Sequence, residues 1–315
     1  MVTDAPDAAA SPSSTLTNSY GTAVLFMLGA ITVLPCMNVL ARYLSADYST
    51  TQIVWARYTG HLVFALILFM PRHGIGLLRA QKPGVHIVRS VLMFCCTCMF
   101  FLAVRYIEVP TASAINFTSP IIVTALAVPF LGEKVGIRRW IAVLIGFCGA
   151  LIIIRPGGSE SHWAMFLVIG TAFFYAVYQV LTRKYASSDS AETSITYIAL
   201  IGALITSVAL PFDYRIPDNA ADYGLFALTG FLGGLGHFFV IKAFRLGEAS
   251  LLSPINYGQL LMATLLTFLI FGTLPDAMTW LGAGIIVGSG LYITYRETQK
   301  ARSRKLTAGA VSADH

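Results

Sequence analysis

Apolar residues along this chain come in ten long blocks separated by short polar patches. Their approximate limits are Tyr20 to Arg42, Ser49 to Met70, His86 to Tyr106, Ala112 to Leu131, Arg138 to Arg155, His162 to Thr182, Thr193 to Pro211, Tyr223 to Arg245, Ser250 to Phe271 and Thr279 to Arg296. A helix rises about 1.5 Å per residue, so about 20 residues cross the roughly 30 Å hydrocarbon layer of a bilayer. Every block is near that length, the fifth being the shortest. The pattern therefore predicts an all-α membrane protein of ten transmembrane helices. Residues 1–19 are rich in Ala, Ser, Thr and Asp without a basic residue; they lack the charged start of a signal peptide and read as a disordered tail. Residues 297–315 read as a basic, polar tail with a weak attraction to anionic lipid.

Composition strengthens this picture. The chain is 56% hydrophobic and only 11% charged, against roughly one-quarter charged residues in a soluble domain. The net charge of +6 matters through its placement. With the N-terminus inside, 16 of the 21 Lys and Arg residues fall on the cytoplasmic side, in loops or at the ends of blocks, Arg42, Arg105, Arg155 and Arg215 fall opposite, and Arg57 lies well within a block. Basic residues are retained on the cytoplasmic side, so both termini are expected there. Charges spread among short loops build no nucleic-acid surface; lipid is the expected macroscopic partner. The five cysteines sit inside apolar blocks, and Cys95, Cys96 and Cys98 do not converge on one helix face, so they read as small buried hydrophobes rather than metal or redox ligands.

The chain also repeats itself. A shift of 140 residues brings Ala103, Arg105, Glu108, Ser113, Ile115, Asn116, Thr124, Gly132, Trp140 and Leu151 onto Ala243, Arg245, Glu248, Ser253, Ile255, Asn256, Thr264, Gly272, Trp280 and Leu291. A shift of 141 pairs Gly29, Val39, Leu40 and Arg42 with Gly170, Val180, Leu181 and Arg183. Two five-helix repeats follow, over residues 20–157 and 162–296. Five is odd, so the second copy must enter the membrane in the opposite orientation. Inverted repeats are a usual construction of secondary transporters, whose two halves exchange inward-open and outward-open forms around a central site. No buried acid and base, HExxH motif or metal-spaced Cys/His cluster supports an enzyme, and a channel has less need of an inverted repeat.

The motifs WARYTG, LAVRYIEVPTASA and SPIIVTALAVPFLGEKVGIRRWIAVLIGFCGALIIIRPG resemble the EamA-type members of the drug/metabolite transporter superfamily. The resemblance covers about Tyr20 to Thr294. It implies a carrier of the bacterial inner membrane that moves a small metabolite between cytoplasm and periplasm, with no bound cofactor, through a cavity lined mainly by spans 1, 3, 4, 6, 8 and 9. Family substrates include amino acids, nucleosides, riboflavin, S-adenosylmethionine and exported waste. The second copy departs from the pattern, with Leu260 in place of Pro120 and Thr273 in place of Glu133.

Polar side chains within lipid are costly unless they face another helix or water, so each is a candidate. Arg57 and, one turn later, His61 share a face; they form either a cationic wall for an electron-rich group or a structural lock on span 2. Tyr175, Tyr178 and Gln179 place flat surfaces with polar ends on one face of span 6. Asn38 in span 1 and His237 in span 8 are similar candidates. Asn116, with Ser113, Pro120 and Thr124 at helical spacing, makes a polar stripe in span 4, and the proline frees a backbone carbonyl for a polar cavity. Asn256, Tyr257 and Gln259 form the inverted counterpart; both asparagines also fit interhelical glue. Arg105 with Glu108, and Arg245 with Glu248, are candidate gating pairs on opposite faces. No Asp or Glu lies in the middle of a span, which leaves coupling to a histidine, to an acid at a helix end, or to no ion. The functional reading is a secondary transporter for a small-molecule substrate. Uptake of an aromatic cofactor-like solute such as riboflavin is expected, and export of amino acids or drug-like metabolites is the alternative. A homodimer is left open.

Overall fold

The computed structural model describes residues 13–132, 136–155, 162–185, 189–246, 252 and 255–313, and no strand occurs among them. The helices are α1 Ser13–Leu44, α2 Thr50–His73, α3 Pro83–Val104, α4 Val109–Asn116, α5 Ser119–Leu131, α6 Ile137–Ile154, α7 Ala164–Lys184, α8 Ala191–Ala209, α9 Ala220–Leu246, α10 Gly258–Phe271 and α11 Ala277–Ala313. Among the described residues, eight apolar helical stretches are long enough to cross a membrane, the fourth being α4 and α5 together; Trp140–Ile154 and Gly258–Phe271, in the fifth and ninth blocks, are shorter. The fifth block begins with two arginines, which shortens its apolar part.

Three local outcomes differ from the sequence expectation. The fourth block is not one helix: it breaks at Phe117 and Thr118. The amide of Phe117 still donates to the Ser113 carbonyl at 3.1 Å, and the Thr118 hydroxyl donates to that of Ile115 at 2.8 Å. Pro120 lies in the first turn of α5, where a missing N–H costs least; it opens the second half-helix instead of kinking a continuous one. At the termini, α1 reaches back to Ser13 and α11 runs on to Ala313, through segments expected to be tails. The continuation of α11 is rich in Ala, Lys and Arg, which extend a helix readily once it is nucleated.

Helix ends repeat the internal symmetry. Gly132 after α5 and Gly272 after α10 are equivalent under the 140-residue shift, and both are left-handed, with φ of 67° and 70°. Their amides donate to Val128 and Phe268, again equivalent residues, at 3.2 and 2.9 Å. Only glycine takes that conformation without steric cost. Ser49 and Ser190 cap α2 and α8, their side chains accepting from the amides of Gln52 and Thr193.

The repeats interleave. Helix α1 packs on α9 and its counterpart α7 packs on α3; α2 packs on α8, and α6 on α11. Each of these seams joins one repeat to the other. Gly60 and Gly230 permit the close crossing of α2 and α9: a Cβ on Gly60 would stand 2.5 Å from the Gly230 Cα. The main core gathers residues from both repeats, including Met37, Tyr58, Ile115, Val168 and Ile286. Outward-facing Leu25, Ile67, Val208 and Leu269 are each about two-thirds or more exposed, the arrangement a bundle surrounded by hydrocarbon requires.

Candidate functional site

Three polar clusters lie along the inter-repeat seams. In the first, Arg57 is 5% exposed. Its Nη1 donates to Thr97 Oγ1 on α3 at 2.9 Å, and its Nη2 lies 3.2 Å from His237 Nε2 on α9. Positions 97 and 237 coincide under the 140-residue shift, so one guanidinium ties equivalent points of both repeats together. Because a guanidinium only donates, His237 Nε2 must accept, which places that ring's proton on Nδ1. His61 stacks on His237 with ring centroids 5.4 Å apart and planes 7° apart. The faces of Tyr58 and Phe101 flank the guanidinium at 4.9 and 5.7 Å. Arg57 Nε and His61 Nε2 are buried without a hydrogen-bond partner, and no ion pair joins Arg57 to a carboxylate among the described residues. Each unsatisfied buried polar group costs on the order of 1–3 kcal/mol.

The second cluster lies where the fourth block breaks. Phe117 and Tyr257, equivalent under the same shift, meet with ring centroids 5.0 Å apart at an angle of 53°. The contact joins equivalent positions of the two repeats. Asn116 Oδ1 beside it is buried without a partner, whereas the amides of Gln259 and Asn256 bond to each other. Gly290 lies so close that any Cβ there would overlap the Tyr257 hydroxyl.

The third cluster contains Tyr175 and Tyr178, stacked 5.9 Å apart on α7. Arg89, from α3, lies over Tyr178 at 5.3 Å. The positive-inside count places Arg89 on the cytoplasmic side, near the start of the His86 to Tyr106 block; it is 6% exposed, and its Nε has no partner. One turn before Arg89, His86 Nε2 lies 3.0 Å from the half-buried Asp189 carboxylate, which also accepts from the Gln81 amide at 2.8 Å. Burial pushes the Asp189 carboxyl up, and these hydrogen bonds outweigh it and hold the group below its ordinary range.

Asn38 and Gln179 are half-buried on α1 and α7, and no hydrogen bond joins either to these clusters among the described residues. The expected gating pairs take another form. Arg105 and Glu108 are not paired among the described residues: Arg105 ends α3 and Glu108 starts α4, so the chain turns between them and helical three-residue adjacency is lost. Arg42 instead donates to the Val104 carbonyl at 2.8 Å and to that of Ile107. Arg245 pairs with Glu192 at 2.6 Å; Glu248 lies outside the described residues. Thr97, Phe117 and Arg89 were not singled out from the sequence. The repeat offset was the available signal for the first two, since it maps them onto His237 and Tyr257.

A bundle of membrane-length helices in two interleaved repeats, with an unsatisfied Asn116 oxygen at the break between α4 and α5, is the architecture of a multi-pass membrane protein. The chain belongs to the EamA-like transporter family, whose sequence profile matches residues 21–155 and again 162–295. A riboflavin transporter of Vibrio cholerae is 32% identical over 289 residues, covering 89% of this chain and 95% of the relative. An S-adenosylmethionine uptake transporter of Rickettsia felis is 27% identical over 290 residues, covering 91% and 97%. A solved crystal structure shares the fold at a TM-score of 0.64 with 18% identity, covering 89% of this chain and 98% of its own. The chain is thus a small-metabolite transporter and not an enzyme.

Proposed function

We propose that this chain takes up a neutral, planar, carbonyl-bearing solute of the riboflavin type. It would work by alternating access, through ten spans in two inverted repeats with both termini in the cytoplasm. The observation that carries the reading is Arg57: a buried cation at the junction of the two repeats, with neutral partners only and one N–H still unsatisfied. Such a group attracts carbonyl oxygens and repels cations. The two substrate classes named among the relatives differ in this respect: riboflavin is neutral with two ring carbonyls, whereas S-adenosylmethionine carries a sulfonium. The unpartnered Asn116 Oδ1 supports the same cargo, because it can accept from the imide N–H between those carbonyls. Phe117 and Tyr257 supply ring faces beside it.

Expression in a riboflavin auxotroph without its own uptake system tests the proposal. Growth at low external riboflavin is expected to be restored. Arg57→Gln should lower initial uptake by about tenfold or more at unchanged membrane abundance, the scale of one hydrogen bond to a charged group, and Arg57→Lys should recover part of it. Rescue of an S-adenosylmethionine requirement without any flavin uptake would overturn the cargo assignment.

A further inference from the structure

The contacts along α3 and α7, and between the residues just beyond their adjoining ends, form a ladder with rungs seven residues apart. Lys82 lies over the Tyr185 ring at 5.0 Å, Arg89 lies over Tyr178 at 5.3 Å, and Cys96 and Thr171 exchange side-chain to backbone hydrogen bonds at 3.5 and 3.4 Å. In each rung the two residue numbers have the same sum, so the helices run antiparallel and the rungs climb about 10 Å at a time. Next above the last rung comes Thr97, the partner of Arg57. A cation–ring pair thus stands at the mouth, a second is buried one heptad in, and Arg57 marks the centre.

The middle rung is more than helix packing. Arg89 is buried, its Nε has no partner, and its nearest hydroxyl, Ser194 Oγ, is 3.4 Å from Nη1. No ion pair joins it to a carboxylate among the described residues. Ser90 Oγ, the next residue, is also buried and unpartnered. Stacked Tyr178 and Tyr175 continue the face on which the guanidinium lies. We infer that Arg89 is a specificity-determining cargo contact on the cytoplasmic half of the pathway. It takes a planar ring system with acceptor oxygens, Tyr178 carrying the ring face and the free guanidinium N–H the oxygen. Along α3, Arg89 lies eight residues, or about 12 Å, from the Arg57 partner Thr97. That separation suits a second station reached after the central one.

The inference rests on the orientation and cargo proposed above, and it predicts an asymmetry that a purely structural arginine would not produce. Riboflavin is the probe. Whole cells report half-saturation at the periplasmic face, and everted membrane vesicles report it at the cytoplasmic face. Arg89→Gln should raise the cytoplasmic-face half-saturation concentration by about tenfold while moving the periplasmic-face value less than about twofold. Arg89→Lys, which keeps the charge but not the planar fork, should fall between wild type and Arg89→Gln. Tyr178→Leu removes the ring and keeps the cation, so it should shift the same face; it also serves if Arg89→Gln fails to accumulate. Wild-type riboflavin transport with equal shifts at both faces, or with none, would overturn the role of Arg89 and leave the cargo reading standing. A wild-type protein that carries S-adenosylmethionine and no riboflavin at either face would overturn both.

Discussion

Arg57 was legible in the sequence as a candidate because a lone charge inside an apolar run is costly in lipid and must find a partner, whether it locks span 2 or meets cargo. Arg89 was not, because retention of basic residues on the cytoplasmic side accounts for it equally well; only its burial over Tyr178 separates the two roles. Thr97 was hidden for another reason: a threonine in an apolar helix is ordinary filler, and its hydroxyl matters only because Arg57 reaches it. Tyr257 offers a direct check on the central contact. A Cβ on Gly290 would overlap the Tyr257 hydroxyl, so Gly290→Ala should destabilise the protein by about 1–3 kcal/mol, the usual cost of overpacking, and slow uptake with it. Adding Tyr257→Phe removes the overlapping oxygen and should restore most of the loss. Additive defects in a double-mutant cycle of thermal stability and uptake would show that the two positions do not touch.

Among the helices, the crossing of α2 and α9 sets the geometry of the arginine cluster. Gly60→Val would push the two backbones apart and draw Arg57 away from His237. A stability loss of about 1–3 kcal/mol is expected, read as a lower melting temperature in detergent, together with loss of uptake. The break between α4 and α5 was half legible: Pro120 announced an interruption, but the position of the break depends on Thr118 satisfying the Ile115 carbonyl. Between α7 and α8, Asp189 gives a pH prediction. Its carboxyl is held below its ordinary range in the folded protein. The stability it contributes is therefore present above the unfolded-state value near 3.9 and is lost as pH falls through the folded value. In a melting series across acid pH, Asp189→Asn should lower stability at neutral pH and flatten the acid limb; an unchanged limb would remove Asp189 from that role.

The proposed inversion of the two repeats follows from an odd number of spans in each, which turns the second copy over in the membrane. Alkaline phosphatase fused between the repeats, after residue 158, should be active, as a periplasmic enzyme would be. A fluorescent protein fused after residue 313 should fold and fluoresce in the cytoplasm. The reverse pair of results would overturn the orientation derived from the loop charges. The seams of α1 with α9 and α3 with α7 join the repeats, and Arg57 is buried between Thr97 of one copy and His237 of the other. Block length, loop charge and the 140-residue offset determined the membrane class, the two repeats and most of the residues at the centre, because hydrophobic transfer and charge retention act on short stretches of chain. Partnership was decided only by the tertiary structure. Whether Arg57 meets an acid or a histidine, whether Arg105 finds Glu108, and whether Arg89 faces water or a tyrosine ring depend on how helices far apart in sequence cross, and that is set by packing across the seams.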